Sequence, residues 1–93
     1  MKIVFKDTFL NRLAIQVDFI AEDSPNRAKN FKSLLLKEIK KIKTFPYKHR
    51  QSKYFEDENI RDLIYKGYTV VYRIKDDEIE VFGFLKHQNN PTD

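Results

Sequence analysis

Two stretches with a helical hydrophobic period are joined by a break at Asp23-Ser24-Pro25. Serine is a favoured N-cap residue, and proline is tolerated at the first position of a helix because its missing N–H would be unpaired there anyway. A helix that starts at this break is not continuous with the helix before it, and so short a connection makes the two antiparallel. The sequence therefore predicts a helical hairpin whose apolar faces the rest of the fold must cover.

The apolar positions of each helix predict which face is buried. They recur at three- and four-residue steps from Thr8 onward, and again from Pro25 to about Phe45, where Pro46 ends the second helix. The first stripe consists of Leu10, Leu13, Ala14, Val17, Ile20 and Ala21. The second stripe consists of Ala28, Phe31, Leu34, Leu35, Ile39, Ile42 and Phe45.

Strand patterns lie on both sides of the helical hairpin. Residues 1–5 are a short run with β-branched and aromatic side chains, and three further strands are predicted at residues 61–65, 68–75 and 78–86. A loop is predicted at residues 47–59, and Lys66-Gly67 and Asp76-Asp77 are tight-turn signals. The order β-α-α-β-β-β predicts an α+β fold, with two antiparallel helices packed on one face of a small, mostly antiparallel sheet. We expect residues 1–93 to form this single domain.

A two-residue turn at Asp76-Asp77 sets the register of the last hairpin and hence the face on which each side chain lies. Continued without interruption, this register gives the pairs Lys75–Glu78, Ile74–Ile79, Arg73–Glu80, Tyr72–Val81, Val71–Phe82 and Val70–Gly83. The core face then consists of Tyr68, Val70, Tyr72, Ile74, Ile79, Val81 and Leu85. Three apolar neighbours, Val71, Phe82 and Phe84, lie on the opposite face, where such a cluster predicts a contact site.

Composition excludes several classes of protein. The 93 residues include no cysteine, which excludes a disulfide framework, a thiol nucleophile and a cysteine-ligated metal. No apolar run approaches the roughly 20 residues of a membrane span, and the N-terminal residues do not resemble a signal peptide. No motif predicts a metal site or a cofactor. These features fit a cytoplasmic protein without a membrane partner.

Positive charge is concentrated in one segment. Residues 27–53 contain ten basic residues and one acid, Glu38, although the formal net charge of the whole chain is only +4. The predicted contact surface at the end of the second helix and its exit loop consists of Lys37, Lys40, Lys41, Lys43, Lys48, Arg50 and Lys53. A charge block of this kind is either a solvated helix face, as is common on surface helices, or a docking surface for a partner or for nucleic acid.

Several motifs occur in an order that resembles a known family. The first helix and the break carry Leu13, Val17, Phe19-Ile20-Ala21, Asp23-Ser24-Pro25, Ala28 and Phe31, and the second helix ends with the segment 42–46. Residues 59–63, 67–74 and 77–81 supply a strand-turn-strand pattern. Together they resemble the RelE/ParE superfamily, the toxins of type II toxin–antitoxin systems. The Asp-Ser-Pro and Phe-Pro steps are more similar to the ParE branch.

The resemblance implies a small cytoplasmic growth inhibitor, associated with plasmid stabilisation and neutralised by a cognate antitoxin from the neighbouring gene. ParE-like members bind a protein target, DNA gyrase, whereas RelE-like members are mRNA interferases that cleave messenger RNA in the ribosomal A site. A third reading is a toxin-fold protein that is not toxic and only binds its antitoxin. We expect Val71, Phe82 and Phe84 to contact that antitoxin.

Metal-independent RNA cleavage requires a proton donor or acceptor and a cation near the phosphate. The groups available for such a reaction are Arg61, Arg73, Lys86 and His87. However, Thr69 occupies the position where the endonuclease branch has a key arginine, and Lys86 replaces its histidine. The departures favour binding over catalysis, so the first prediction is a ParE-like toxin and the endoribonuclease is the alternative.

Overall fold

The structure, a computed structural model, describes residues 1–87. Within that range, two helices pack on a five-stranded sheet whose strand order is β1-β5-β4-β3-β2. The elements are β1 (Lys2–Phe5), α1 (Asp7–Asp23), α2 (Pro25–Lys40), a 3₁₀ turn (Lys41–Lys43), β2 (Arg50–Gln51), β3 (Ile60–Tyr65), β4 (Tyr68–Ile74) and β5 (Glu78–Lys86). The predicted α+β fold is confirmed, and residues 88–93 of the predicted domain lie outside the described residues.

The break between the helices has the predicted geometry. The hydroxyl of Ser24 accepts a hydrogen bond from the backbone N–H of Arg27 at 3.2 Å, and Pro25 occupies the first position of α2. Ser24 also donates its own N–H to the carbonyl of Ile20 at 2.9 Å, so one residue caps both helices. The α-helix ends at Lys40 rather than at Phe45, because the next turn tightens into a 3₁₀ turn in which the N–H of Thr44 donates to the carbonyl of Lys41 at 3.1 Å, three residues back.

The buried face of α1 is rotated from the predicted stripe. Phe9 and Leu13 are the buried positions of α1, whereas Leu10 and Ala14, which the stripe includes, are exposed. The cause is the one-residue link from β1. The N–H of Lys6 donates to the carbonyl of Val81 at 2.9 Å, which anchors the start of the helix against β5 and turns Phe9 inward.

The sheet has one parallel pair and one strand that the sequence pattern does not predict. β5 lies between β1, with which it pairs in parallel, and β4, with which it pairs antiparallel. Arg50 and Gln51, predicted as loop, form the two-residue strand β2 against Asp62 and Arg61 of β3. A strand this short has no period to detect, and its position depends on Arg50, whose guanidinium lies 3.3 Å from the carboxylate of Asp62.

The register of the β4–β5 hairpin is confirmed near the turn and wrong beyond it. Ile74–Ile79, Arg73–Glu80 and Tyr72–Val81 pair as predicted, but Val71 pairs with Gly83 and Val70 with Phe84. The shift is a β-bulge that inserts Phe82 as an extra residue, so every later side chain of β5 changes face.

Phe84 therefore belongs to the core and not to the opposite face. Its ring stacks on Tyr68 with the centroids 5.2 Å apart and meets the edge of Phe9 at 5.7 Å, and only 5% of the residue is exposed. Leu85, predicted in the core, instead pairs with Thr69 on the face away from the helices. The bulge thus moves one aromatic residue from the predicted contact cluster into the helix–sheet interface.

Candidate functional site

The apolar cluster predicted on the open face of the sheet is much smaller than the sequence indicates. Val71 is buried, Phe84 is in the core, and Phe82 alone of the three stays half-buried. The ring of Phe82 meets the edge of Phe55 from the 52–58 loop at 5.6 Å, and the guanidinium of Arg73 lies 5.1 Å from its centroid. What remains accessible on this face is a Phe55–Phe82 pair bordered by an arginine.

The four groups suited to RNA cleavage do not converge on one site. Arg61 and Arg73 are located near one end of β4 and on opposite faces of the sheet, because Arg61 pairs with Tyr72 and Arg73 is its chain neighbour. Lys86 pairs with Tyr68 at the other end of β4, and His87 follows it. Tyr68 and Tyr72 are separated by about 13 Å of extended strand, so no phosphate contacts both groups of residues.

Arg73 is already paired with a carboxylate. Its guanidinium lies 2.9 Å from Glu80, and the ammonium group of Lys75 binds the second oxygen of the same carboxylate at 3.0 Å. The hydrogen bond from Lys75, together with the nearby charges of Lys6 and Arg73, lowers the pKa of Glu80 below its ordinary value. This cluster neutralises Arg73 within the sheet, as the predicted Arg73–Glu80 pair anticipates.

Lys86 and His87 also have local partners. The ammonium group of Lys86 lies 5.4 Å from the ring centroid of Phe19, a cation–π contact with α1. The Nε2 atom of His87 is hydrogen-bonded to the hydroxyl of Thr69. Thr69 is fully buried, so the position where the endonuclease branch has its arginine is neither cationic nor open.

Arg61 links the loops before and after β2. Its Nε donates to the carbonyl of Glu58 at 2.8 Å, and a terminal nitrogen donates to the carbonyl of His49 at 3.2 Å. The guanidinium also lies 4.9 Å from the ring centroid of Tyr47. These three contacts hold the guanidinium of Arg61 against its own chain.

The predicted basic surface lies at the end of α2 and along the following segment. Lys37 and Lys40 occupy the last turn of α2, Lys41 and Lys43 the 3₁₀ turn, and Lys48, Arg50 and Lys53 the loop and β2. All seven residues are exposed. Glu38 is paired with Lys41 at 2.8 Å, and that hydrogen bond lowers the pKa of the glutamate. Within residues 1–87, neither Lys43 nor Lys48 takes part in an ion pair.

Asp62 fastens β2 and the loop that follows it to the sheet. Its side chain is fully buried, and one carboxylate oxygen accepts from Arg50 at 3.3 Å and from the backbone N–H of Lys53 at 3.2 Å. The other oxygen has no hydrogen-bond partner within the described part of the chain. The carboxylate fixes the path of the loop, since a buried charge is tolerated only when it is paired.

Two exposed aromatic residues lie in the middle of the basic surface. Phe45 and Tyr47 flank Pro46, and we call residues 44–48 the knuckle. Phe45 is 66% exposed and Tyr47 is 52% exposed. A shallow depression of about 370 Å³ is lined by all five knuckle residues, and a second of about 270 Å³ is lined by Glu38, Lys41, Thr44, Phe45, Lys48 and His49.

The sheet holds the knuckle in place from below. The hydroxyl of the fully buried Tyr72 donates to the carbonyl of Pro46 at 2.6 Å, and the hydroxyl of Tyr47 donates to the side chain of Asn59 at 2.6 Å. Burial strongly raises the pKa of Tyr72, which keeps its phenol protonated as the donor. The ring of His49 is edge-on to Tyr72, and burial lowers the pKa of that histidine.

Sequence reasoning locates the lysines of this surface but misses Phe45 and Tyr47. Phe45 continues the apolar stripe of α2, so the pattern predicts it as buried. The signal that would have found both is their position, since two aromatic residues flank a proline inside a lysine-rich segment. Both rings lie beyond the end of α2 and its 3₁₀ turn, in a segment that leaves them exposed.

Residues 1–87 form a small α+β protein with an exposed basic surface, and Arg61 and Arg73 lie apart from Lys86 and His87. The family described as "ParE toxin of type II toxin-antitoxin system, parDE" matches residues 3–91, so the chain belongs to this family. The predicted membership of the RelE/ParE superfamily, with closer similarity to the ParE branch, is confirmed. Among curated proteins, none matches the sequence significantly.

No helix within residues 1–87 is long and apolar enough to cross a lipid bilayer. In the same range, no group of three or more histidine or acidic side chains is arranged to bind a metal ion.

Proposed function

We propose that the chain inhibits growth as a ParE-like toxin by binding a protein target, DNA gyrase, and that a cognate antitoxin neutralises it in the cytoplasm. Family membership supports the toxin class. The observation that supports binding over RNA cleavage is the separation of Arg61 and Arg73 from Lys86 and His87 at opposite ends of β4. Each of these groups is also occupied by a partner within the chain.

The test is expression of the chain alone and together with the reading frame that adjoins it. We expect growth arrest in the first case and normal growth in the second. In gyrase reactions with supercoiled plasmid, the purified chain should increase linear DNA, because a gyrase poison stabilises the cleaved state. Ribosome-bound message should show no new A-site cuts.

Two outcomes would contradict this proposal. A-site cuts that disappear with Lys86→Ala or His87→Ala would establish the endoribonuclease instead. Normal growth during expression of a folded chain that binds its antitoxin would indicate a toxin-fold protein kept for antitoxin binding.

For the antitoxin contact, we propose the open face of the sheet at Phe82, the accessible member of the Val71, Phe82 and Phe84 cluster, together with Phe55. Their two rings form a half-exposed pair that an apolar antitoxin side chain could cover. We expect Phe55→Ala with Phe82→Ala to weaken antitoxin binding by about tenfold or more, measured by calorimetry. Ile15→Ala, an exposed apolar change on α1, is the matched control. Equal affinities for both variants would exclude this face.

A further inference from the structure

We propose that the knuckle, residues 44–48, and the lysines around it form the surface that binds the target. This surface recognises an acidic protein segment that carries one aromatic or bulky apolar side chain. The inference rests on the proposed function and adds to it the location of the surface and the chemistry of the partner. Three observations support it: the exposure of the rings, their fixed position and the surrounding charge.

Exposure of the rings indicates a role outside folding. A phenylalanine that is 66% exposed contributes little to the hydrophobic core, and its neighbour Tyr47 is 52% exposed. Single exposed apolar residues are common on protein surfaces, but here two aromatic rings and a proline are consecutive in the chain and border one depression. Aromatic residues at the centre of an interface supply much of its binding energy.

The knuckle is also held rigidly although it lies on the surface. Tyr72 holds the carbonyl of Pro46 from the core, Asn59 holds the hydroxyl of Tyr47, and Arg61 covers the ring of Tyr47. Contacts from β3, β4 and the preceding loop thus order a segment that has no regular secondary structure. Ordering before binding reduces the entropy lost when a partner docks, which raises affinity.

Charge around the knuckle selects an acidic partner. Lys43 and Lys48 are exposed and make no ion pair within residues 1–87, and Lys41 is paired with Glu38. Acidic side chains next to the partner's apolar side chain would pair with these ammonium groups, and the opposite charges would speed the encounter.

A protein segment fits this surface better than single-stranded nucleic acid. The arginines nearest the knuckle are both engaged, Arg50 by Asp62 and Arg61 by two carbonyls, so the bidentate donors that phosphates favour are occupied. The depression beside Phe45 is suited instead to an apolar side chain.

The test compares the affinity of four variants for purified DNA gyrase, measured by biolayer interferometry at two salt concentrations. Phe45→Ala removes the main ring, and Ile15→Ala is its control, because Ile15 is 70% exposed on α1, far from the basic surface in sequence and unconnected to the knuckle. Lys43→Glu with Lys48→Glu reverses the positive charge at and beside the knuckle. Lys29→Glu with Lys32→Glu makes the same charge change earlier in α2. All six substitutions in these four variants alter exposed positions, and antitoxin binding checks that each variant is folded.

We expect Phe45→Ala to weaken gyrase binding at least tenfold and the Lys43/Lys48 reversal to weaken it by about 100-fold. The reversal should also flatten the salt dependence. Both controls should stay within about threefold of the unmodified chain. The inference is wrong if Phe45→Ala and Ile15→Ala bind gyrase equally well, or if the two lysine reversals have the same effect. It is also wrong if Phe45→Ala weakens binding of a 12-nucleotide oligo(dT) and leaves gyrase binding unchanged.

A separate probe distinguishes failure of this inference from failure of the proposed target. It is a 12-residue peptide of aspartate and glutamate with a central tryptophan, compared with the same peptide carrying alanine there. If the unmodified chain does not bind gyrase, the proposed target is wrong. Tenfold tighter binding of the tryptophan peptide, lost in Phe45→Ala, would still support the docking chemistry. Equal binding of the two peptides would overturn it.

Discussion

Replacing Phe84 with alanine is expected to lower the free energy of unfolding by about 3–5 kcal/mol, the cost typical of removing a buried phenylalanine side chain. The residue is 5% exposed, and its ring is packed between Phe9 and Tyr68 at the helix–sheet interface. Urea unfolding followed by circular dichroism would measure the change. A loss of this size could leave so small a domain partly unfolded at 37 °C, since small domains are only marginally stable.

Phe82→Ala is the matched control for this prediction, because the two residues are of the same type and two positions apart in β5. Phe82 is half-buried against Phe55 on the open face, and we expect its removal to cost about 1 kcal/mol. An uninterrupted hairpin would place both residues on that face and make the two costs similar. Equal destabilisation by the two substitutions would therefore contradict the bulge.

Gly83→Val is expected to destabilise the fold by about 3 kcal/mol, at the upper end of the cost of overpacking. A Cβ atom at Gly83 would lie 2.9 Å from the Cβ and 3.1 Å from a Cγ of Val71, its partner across the bulge. Val71 is buried and its Cβ is fixed to the backbone, so the strands would have to separate to admit the new side chain. Thermal unfolding would detect this as a lower midpoint.

Gly67→Ala tests whether the destabilisation by Gly83→Val arises from crowding or would follow the loss of any glycine. Gly67 has φ of +82° in the β3–β4 turn, and an added Cβ there meets no atom within 4 Å. Its replacement should cost about 1 kcal/mol from backbone strain alone. If Gly83→Val is tolerated as well as Gly67→Ala, the close approach of β4 and β5 is not a constraint on the sequence.

The β4–β5 hairpin shows which residue pairs a sequence pattern can predict and which it cannot. Pairs next to the Asp76-Asp77 turn follow from the turn itself and from the opposite charges of Arg73 and Glu80, which are local features. The bulge at Phe82 depends on Phe84 reaching Phe9 on a helix more than 70 positions earlier in the chain. An alternating pattern contains no information about that contact, so the register beyond Tyr72 was predicted wrongly.

A similar limit applies to the candidate site. The charge of the basic segment is visible in composition, and the N-cap at Ser24 follows from two adjacent residue types. The exposure of Phe45 depends on where α2 ends and on the support that Tyr72 gives to Pro46. A helical period continued through residue 45 therefore assigns an exposed ring to the core, because periodicity describes a helix and not the segment after it.

The position of β5 in the sheet has a consequence for how the chain folds. The helical hairpin and the β2–β3–β4 segment can each form from residues that are close in sequence, but β1 joins the sheet only through β5, which is synthesised after both. β1 has no strand partner until then, because Ile3 pairs with Ile79. Closing so long a loop is slow compared with forming local helices and hairpins. The rate of folding should therefore be set by the insertion of β5 between β1 and β4.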